Sequence, residues 1–250
     1  MNDIKKQIED LGPWSQKIIL DNNNDLITPG KWDVKKQFDF IVKDIKLYSG
    51  MRILDCGANA GGIAFEFAKK LKDDFCKVST IEVYDQSIQQ QIFIKKYLEA
   101  TQQINSNFYI YKDTIFNAHH YGQQDIVLFL GLIYHMRYPQ LFLDYCSTLE
   151  SKLFIFSTQS IDSKDDDYIM KNRIAFFPEK QGVMGYHPTQ KLFENMLQSS
   201  GFKIEHIYRI NDSSFTNNLY VVCSYSPSKR KKNLNKIQQF ISNIYSERWY

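Results

Sequence analysis

The chain has 250 residues, which fits one large domain or a core domain with appendages. Hydrophobic residues at 43% and aromatics at 15% supply material for one large buried core. The net charge of +3, from 31 basic and 28 acidic residues, argues against a chain that grips nucleic acid through its overall charge, although a local patch can still do so.

Residues 1–12 read as a short amphipathic helix, because Ile4, Ile8 and Leu11 recur at helical spacing. The polar turn Asp21–Asp25 and the turn Thr28-Pro29-Gly30 follow Trp14–Leu20, and Asp33 is placed to cap a helix running to about Leu47. From Arg52 strands and helices alternate: strand Arg52–Cys56, helix Gly62–Leu71, strand Lys77–Val83, helix Gln86–Gln102, strand Phe108–Lys112, strand Asp125–Gly131, helix Gln140–Leu149 and strand Leu153–Ser157. That alternation predicts a parallel sheet.

Segment 158–186, with Asp165-Asp166-Asp167 and Phe176-Phe177-Pro178, breaks the rhythm and reads as a long irregular insertion. Thr189–Ser200 is helical and ends at Gly201; strands Phe202–Arg209 and Asn218–Tyr225 then pair antiparallel. The expectation is an α/β, Rossmann-like fold: a seven-stranded, mostly parallel sheet with helices on both faces and the last strand antiparallel. Its parts are a helical lead-in or cap at 1–50, a core at 51–225 and a tail at 226–250 that carries Lys229–Lys232.

The first ten residues are polar and unlike a signal peptide, and no apolar run is long enough to cross a bilayer, so a cytoplasmic protein without a membrane partner is expected. Cys56, Cys76, Cys146 and Cys223 lack metal-ligand spacing and read as buried free thiols of a reducing compartment.

The first strand of the alternating region runs into Asp55-Cys56-Gly57-Ala58-Asn59-Ala60-Gly61-Gly62 and then a helix, the crevice where open parallel sheets bind nucleotides. Gly57 permits the tight turn, and Gly61 and Gly62 let backbone approach a ligand. Asn59 stands where a dinucleotide fingerprint wants its second glycine. Asp55 would repel a pyrophosphate but suits the ammonium of a methionine moiety. Glu82 ends the next strand and can accept from both ribose hydroxyls; Asp113, past the third, can accept from an adenine amino group. Taken singly each acid is equally a cap or a solvated loop end. Three at successive strand ends point to S-adenosylmethionine, with S-adenosylhomocysteine as product.

Together with the seven-strand order, this loop resembles the class I methyltransferases. Two segments resemble one group within them: Ile18–Leu20 with Thr28-Pro29-Gly30-Lys31-Trp32-Asp33, and Gly131-Leu132-Ile133-Tyr134-His135-Met136-Arg137-Tyr138-Pro139, similar to that group's G-x-L-Y-H-x-R-x-P. The group includes the tRNA wobble-uridine 5-oxyacetic acid (carboxymethyl) synthase and many small-molecule and sugar methyltransferases. The resemblance covers roughly residues 14–205. The full basic set that holds a carboxylated cofactor has no counterpart here beyond Trp32 and Lys17, which favours ordinary methyl transfer.

Methyl transfer needs an aligned nucleophile and, for many acceptors, removal of a proton. His135 is the candidate base and Tyr134 a second catalytic candidate; turn-fixing and core packing are the bland alternatives. Gly131 is placed with the cofactor. Trp32, Arg137 and His187 are candidate substrate contacts, Arg137 through its planar fork toward phosphate or carboxylate, with an ion pair as its structural alternative. His119-His120 reads as surface loop, so no metal is expected. Phe176, Phe177 and Tyr186 form either an apolar lid or plain packing. The favoured function is methylation of oxygen or nitrogen on a small molecule, such as a sugar or phosphorylated metabolite. The rivals are tRNA modification, with the Lys229–Lys232 run as a phosphate contact, and non-catalytic cofactor binding.

Overall fold

The structure, a computed structural model, describes residues 2–21, 23–105, 107–161, 170–177, 180–215 and 217–225, with backbone alone at 2 and 170–186. The described chain divides into two compact units. The first is Met1–Ile115 with Ser213–Phe215, and the second holds the rest.

In the first unit, α1 (Asn2–Asp10) buries Ile8. Two short strands follow, β1 (Gln16–Lys17) and β2 (Trp32–Asp33), paired parallel with Gln16 opposite Trp32. Asp33 then caps α2 (Val34–Val42) as expected, its Oδ1 accepting the Lys36 N–H at 3.0 Å. The helix stops short of the expected Leu47. The Ile45 N–H turns back to the Val42 carbonyl at 3.0 Å, a three-residue closure that tightens the last turn. On its buried face Phe38 meets Phe67 edge-on at 5.0 Å.

The chain around β1 is irregular, so its carbonyls need donors from elsewhere. Lys69 Nζ donates to the Ile19 carbonyl at 2.7 Å. Gln90 Nε2 donates to Leu11 and Pro13 at 2.9 and 3.0 Å, and Gln103 Nε2 to Leu20 at 2.6 Å. The lead-in is thereby stitched to the elements that follow it.

Those elements are β3 (Arg52–Cys56), α3 (Gly62–Leu71), β4 (Lys77–Glu82), α4 (Asp85–Ala100) and β5 (Phe108–Lys112). Strands β3, β4 and β5 pair parallel, with Cys56 opposite Ile81 and Glu82 opposite Lys112. Strand β4 ends one residue before the expected Val83, because the amides of Val83 and Tyr84 turn onto the Glu82 carboxylate at 2.8 and 3.2 Å. Phe65 of α3 stacks on Phe108 with centroids 4.1 Å apart.

The second unit contains β6 (Gln124–Leu130), α5 (Pro139–Cys146), β7 (Ser151–Thr158), β8 (Met170–Phe177), β9 (Lys180–Pro188), α6 (Gln190–Ser199), β10 (Phe202–Arg209) and β11 (Leu219–Tyr225). Its core is aromatic: Phe129 of β6 stacks on Phe156 of β7 at 5.5 Å, Phe142 of α5 meets Phe129 edge-on, and Phe202 packs on Phe154 and Phe156. Helix α6 is capped by Thr189 and followed by Gly201 at φ 90°, the stop that Gly201 announces.

The expectation of an irregular insertion at 158–186 is corrected: β8 and β9 form an antiparallel hairpin, Lys171 opposite His187. Backbone pairing across a turn sets such a ribbon, so it can form without the strong apolar alternation that announces a core strand. Asp165–Asp167, Pro178 and the tail with Lys229–Lys232 lie outside the described residues, as do the side chains of Phe176, Phe177 and Tyr186.

Seven strands make one mostly parallel sheet in the order β10-β11-β7-β6-β3-β4-β5, with β11 antiparallel to both neighbours. All four cysteines are buried and free. Among the described residues no helix is long and apolar enough to cross a membrane.

Replacing Asp33 by alanine removes both the α2 cap and the 3.3 Å contact to Lys17. The expected loss is about 1 kcal/mol, a fall of about 2–4 °C in Tm by thermal unfolding. An unchanged Tm would show that the α2 terminus is held by packing alone.

Candidate functional site

The loop between β3 and α3 is shaped by three residues in left-handed conformation: Gly57 at φ 70°, Asn59 at 54° and Gly61 at 79°. Asn59 tolerates that region because its short side chain bonds locally, here accepting the Ala60 amide at Oδ1, 2.8 Å. The turn is tied down on all sides. The Gly57 amide donates to the Ile81 carbonyl at 2.9 Å. The Asn59 amide donates to Glu82 Oε2 at 2.8 Å, and the Asn59 carbonyl accepts from Gln91 Nε2 at 2.6 Å.

Asp55 sits at the end of β3 and is 2% exposed. Its Oδ1 is buried with no hydrogen-bond partner among the described residues. Burial, and then the nearby Glu82 carboxylate, push its pKa up from 3.8 to about 7. A buried acceptor beside a glycine-rich turn fits the ammonium of S-adenosylmethionine, which would supply both the donor and the compensating charge. Glu82 is raised by burial as well, against the three amides that favour its charged form. Both its oxygens are engaged by backbone amides, so it builds the loop. Asp113 stands at the same strand end: its amide donates to the Glu82 carbonyl at 3.1 Å, continuing the ladder by one bond, and its Oδ1 accepts the Thr114 amide at 2.8 Å.

Trp32 is half-buried opposite Gln16 in the β1–β2 register. Lys17 pairs with Asp33 at 3.3 Å. Sequence reasoning missed Gln16 and Gln91. Gln91 had a signal: it occupies the apolar stripe of α4 with Ile88, Ile94 and Leu98, and a polar residue at a fully buried helix position must have a partner. Gln16 had none, since it lies in an unpatterned stretch.

In the second unit, Gly131 at φ 74° follows β6, and its amide donates to the backbone and hydroxyl oxygens of Ser157 at 3.1 and 3.0 Å. A Cβ on Gly131 would lie 2.8 Å from the Tyr134 hydroxyl, and at φ 74° any L side chain is strained, so a larger residue there would displace the Tyr134 ring. A short 3-10 turn, Ile133–His135, carries the two candidate catalytic residues; their rings lie 4.4 Å apart. The structure brings His187 to them, its ring 6.0 Å from that of Tyr134 and nearly perpendicular. Asn217 completes the cluster and was missed: its Nδ2 donates to Ser157 Oγ at 2.8 Å, while its Oδ1 is buried without a partner among the described residues.

Arg137 is exposed, with its guanidinium 5.5 Å from the Tyr138 ring centroid, and forms no ion pair among the described residues. It edges an open cleft of about 620 Å³ lined also by Leu141, Asp144 and Met196. His119 and His120 lie 4.1 Å apart, with His119 Nδ1 3.5 Å from the Tyr145 hydroxyl.

No protein-family model and no curated protein sequence matches the chain. Solved structures do match in fold. The N-terminal domain of EvdMO1, in the presence of SAH and D-fucose, aligns with TM-score 0.64 and 19% identity over 90% of this chain and 97% of that one. Magnesium protoporphyrin IX methyltransferase (ChlM) from Synechocystis PCC 6803 with bound SAM aligns with TM-score 0.55 and 14% identity, over 77% and 78%. The glycopeptide N-methyltransferase MtfA complexed with SAM gives TM-score 0.56 and 9% identity, over 78% and 95%. The fold is that of the S-adenosylmethionine-dependent methyltransferases.

The raised Asp55 pKa fixes a sign for stability. The folded chain binds this proton more tightly than the unfolded chain, so the contribution is fully present below about pH 4 and is lost as pH rises through about 7. Asp55→Asn is therefore expected to raise the Tm of the ligand-free chain at pH 8 relative to the parent and to change little at pH 4. Equal shifts at both pH values would place Asp55 in a solvated setting.

Proposed function

We propose that the chain is an S-adenosylmethionine-dependent methyltransferase that acts on an oxygen or nitrogen of a small molecule, a sugar or a phosphorylated metabolite. The observation that carries the reading is the buried, unpartnered Asp55 Oδ1 at the start of the glycine loop, with Glu82 at the next strand end. When bound, the cofactor supplies an electrophilic methyl group on a sulfonium.

The chain's own residues have distinct parts. Asp55 holds the ammonium, Glu82 the ribose hydroxyls and Asp113 the adenine amino group, while the loop from Gly57 to Gly61 offers close backbone. His135 takes the acceptor's proton, since an imidazole titrates near neutral pH and suits that work. Tyr134, packed against both His135 and His187, orients the base. Trp32 and His187 are acceptor contacts. The exposed Arg137 fork, beside the apolar lining of its cleft, suits an acceptor that carries a phosphate or carboxylate. The D-fucose present with one structural neighbour supports the sugar class.

Asp55→Ala and Glu82→Ala are each expected to abolish S-adenosylhomocysteine binding by calorimetry; unchanged affinity in both would refute the site. His135→Ala is expected to lower kcat by about 10²–10⁴-fold, the usual reach of a general base, with cofactor affinity within twofold. The kcat readout needs an acceptor, which mass spectrometry of a sugar and sugar-phosphate pool incubated with methyl-labelled cofactor would find. Label on tRNA instead would assign the chain to nucleic-acid modification.

A further inference from the structure

We propose that Gln16 is a positioning residue for the cofactor, coupling the seat of the N-terminal lead-in to the grip of the glycine loop; this rests on reading that loop as an S-adenosylmethionine site. The loop leaves one of its own needs unmet. Gly61 occupies the cap position of α3 and has no side chain to cap with. The first amide of the helix, on Gly62, therefore needs an acceptor from elsewhere. Gln16 Oε1 provides it at 2.9 Å, from far upstream in the chain. Nε2 of the same side chain reaches the Ala58 carbonyl at 3.4 Å. One planar amide thus touches both ends of the turn Ala58–Gly62. A side-chain amide can do both, whereas a carboxylate cannot donate to Ala58 and an ammonium cannot accept from Gly62.

Gln16 is itself fixed from behind. The fully buried Thr28 hydroxyl donates to the Gln16 carbonyl at 2.7 Å and accepts the Ile18 amide at 2.8 Å. Gly30 lies so close that a Cβ there would sit 2.1 Å from the Gln16 carbonyl carbon. On the loop side, a Cβ on Gly62 would lie 2.5 Å from a Val34 methyl, so α3 starts hard against the lead-in. The segment from Gln16 to Val34 therefore holds the loop in its binding shape before any ligand arrives. A preformed loop spares the ligand the ordering cost, and this appears as affinity.

The test compares S-adenosylhomocysteine affinity of the full chain with that of Gln16→Ala and Gln16→Glu, by calorimetry well below each Tm. Gln16→Ala is expected to bind about 10-fold more weakly, the worth of one well-made hydrogen bond. Gln16→Glu, which loses the donor and adds a negative charge to a loop already bearing Asp55 and Glu82, is expected to bind at least as weakly, and it carries the test alone if the alanine variant does not fold. Hydrogen exchange separates positioning from plain stability. Ligand binding is expected to slow exchange at the Ile18 and Thr28 amides in the parent chain, and not in Gln16→Ala. Folded variants that bind within twofold of the parent overturn the role of Gln16. A parent chain that binds no S-adenosylhomocysteine overturns the reading of the loop itself.

Discussion

The Glu82 carboxylate accepts the amides of Asn59, Val83 and Tyr84, and the shape of the β3–α3 loop and the end of β4 depend on it. A carboxylate that is 5% exposed is costly to bury unless donors surround it. Here the donors are backbone, so the acid and the turn stabilise each other: the amides keep the charge tolerable, and the charge orients the amides. One bond shapes the loop of β3, and two end β4. Asp55 shares the site without such donors; burial first, and then repulsion from Glu82, raise its pKa to about 7. A cationic group placed beside the two carboxylates would relieve both problems at once, by donating to the buried Asp55 oxygen and by offsetting the shared negative charge.

A second principle runs through the lead-in. An irregular chain of about thirty residues cannot satisfy its own backbone, so the ordered elements around it must supply the missing partners. They do so with long neutral amides and one ammonium: Gln90, Gln103 and Lys69 donate outward, and Gln16 returns the exchange by capping α3. Glutamine suits this because each side chain carries a donor and an acceptor on a flexible stem without the desolvation cost of charge. The glycine loop and the lead-in are consequently one hydrogen-bonded assembly.

In the second unit the corresponding device is crowding. Gly131 lies under the Tyr134 hydroxyl, Ser157 takes its amide twice, and Asn217 binds Ser157 from the other side. Close packing over a residue without a side chain holds the Tyr134 and His135 turn in a single arrangement, with His187 delivered from β9.

Much of this was legible along the chain. The boundaries of β3, α3 and β5 follow from apolar runs bounded by glycine and polar residues, and the acids at 55, 82 and 113 stand out because each lies within one residue of a strand end. Local chemistry also decided the Asp33 cap and the Gly201 stop. The hairpin of β8 and β9 was hidden because cross-strand pairing, not periodicity, makes it. The early end of α2 was hidden because a single backbone closure at Ile45 decides it. Gln16 and Asn217 were invisible for a common reason: their roles exist only against residues far away in sequence, Gly62 in one case and Ser157 in the other. The rhythm of strands and helices and the chemistry at the strand ends can be read along the chain, since both depend on near neighbours. Which neutral side chains hold the glycine loop and the Ile133–His135 turn in shape depends on the folded chain, because an amide has no meaning until its distant partner is in place.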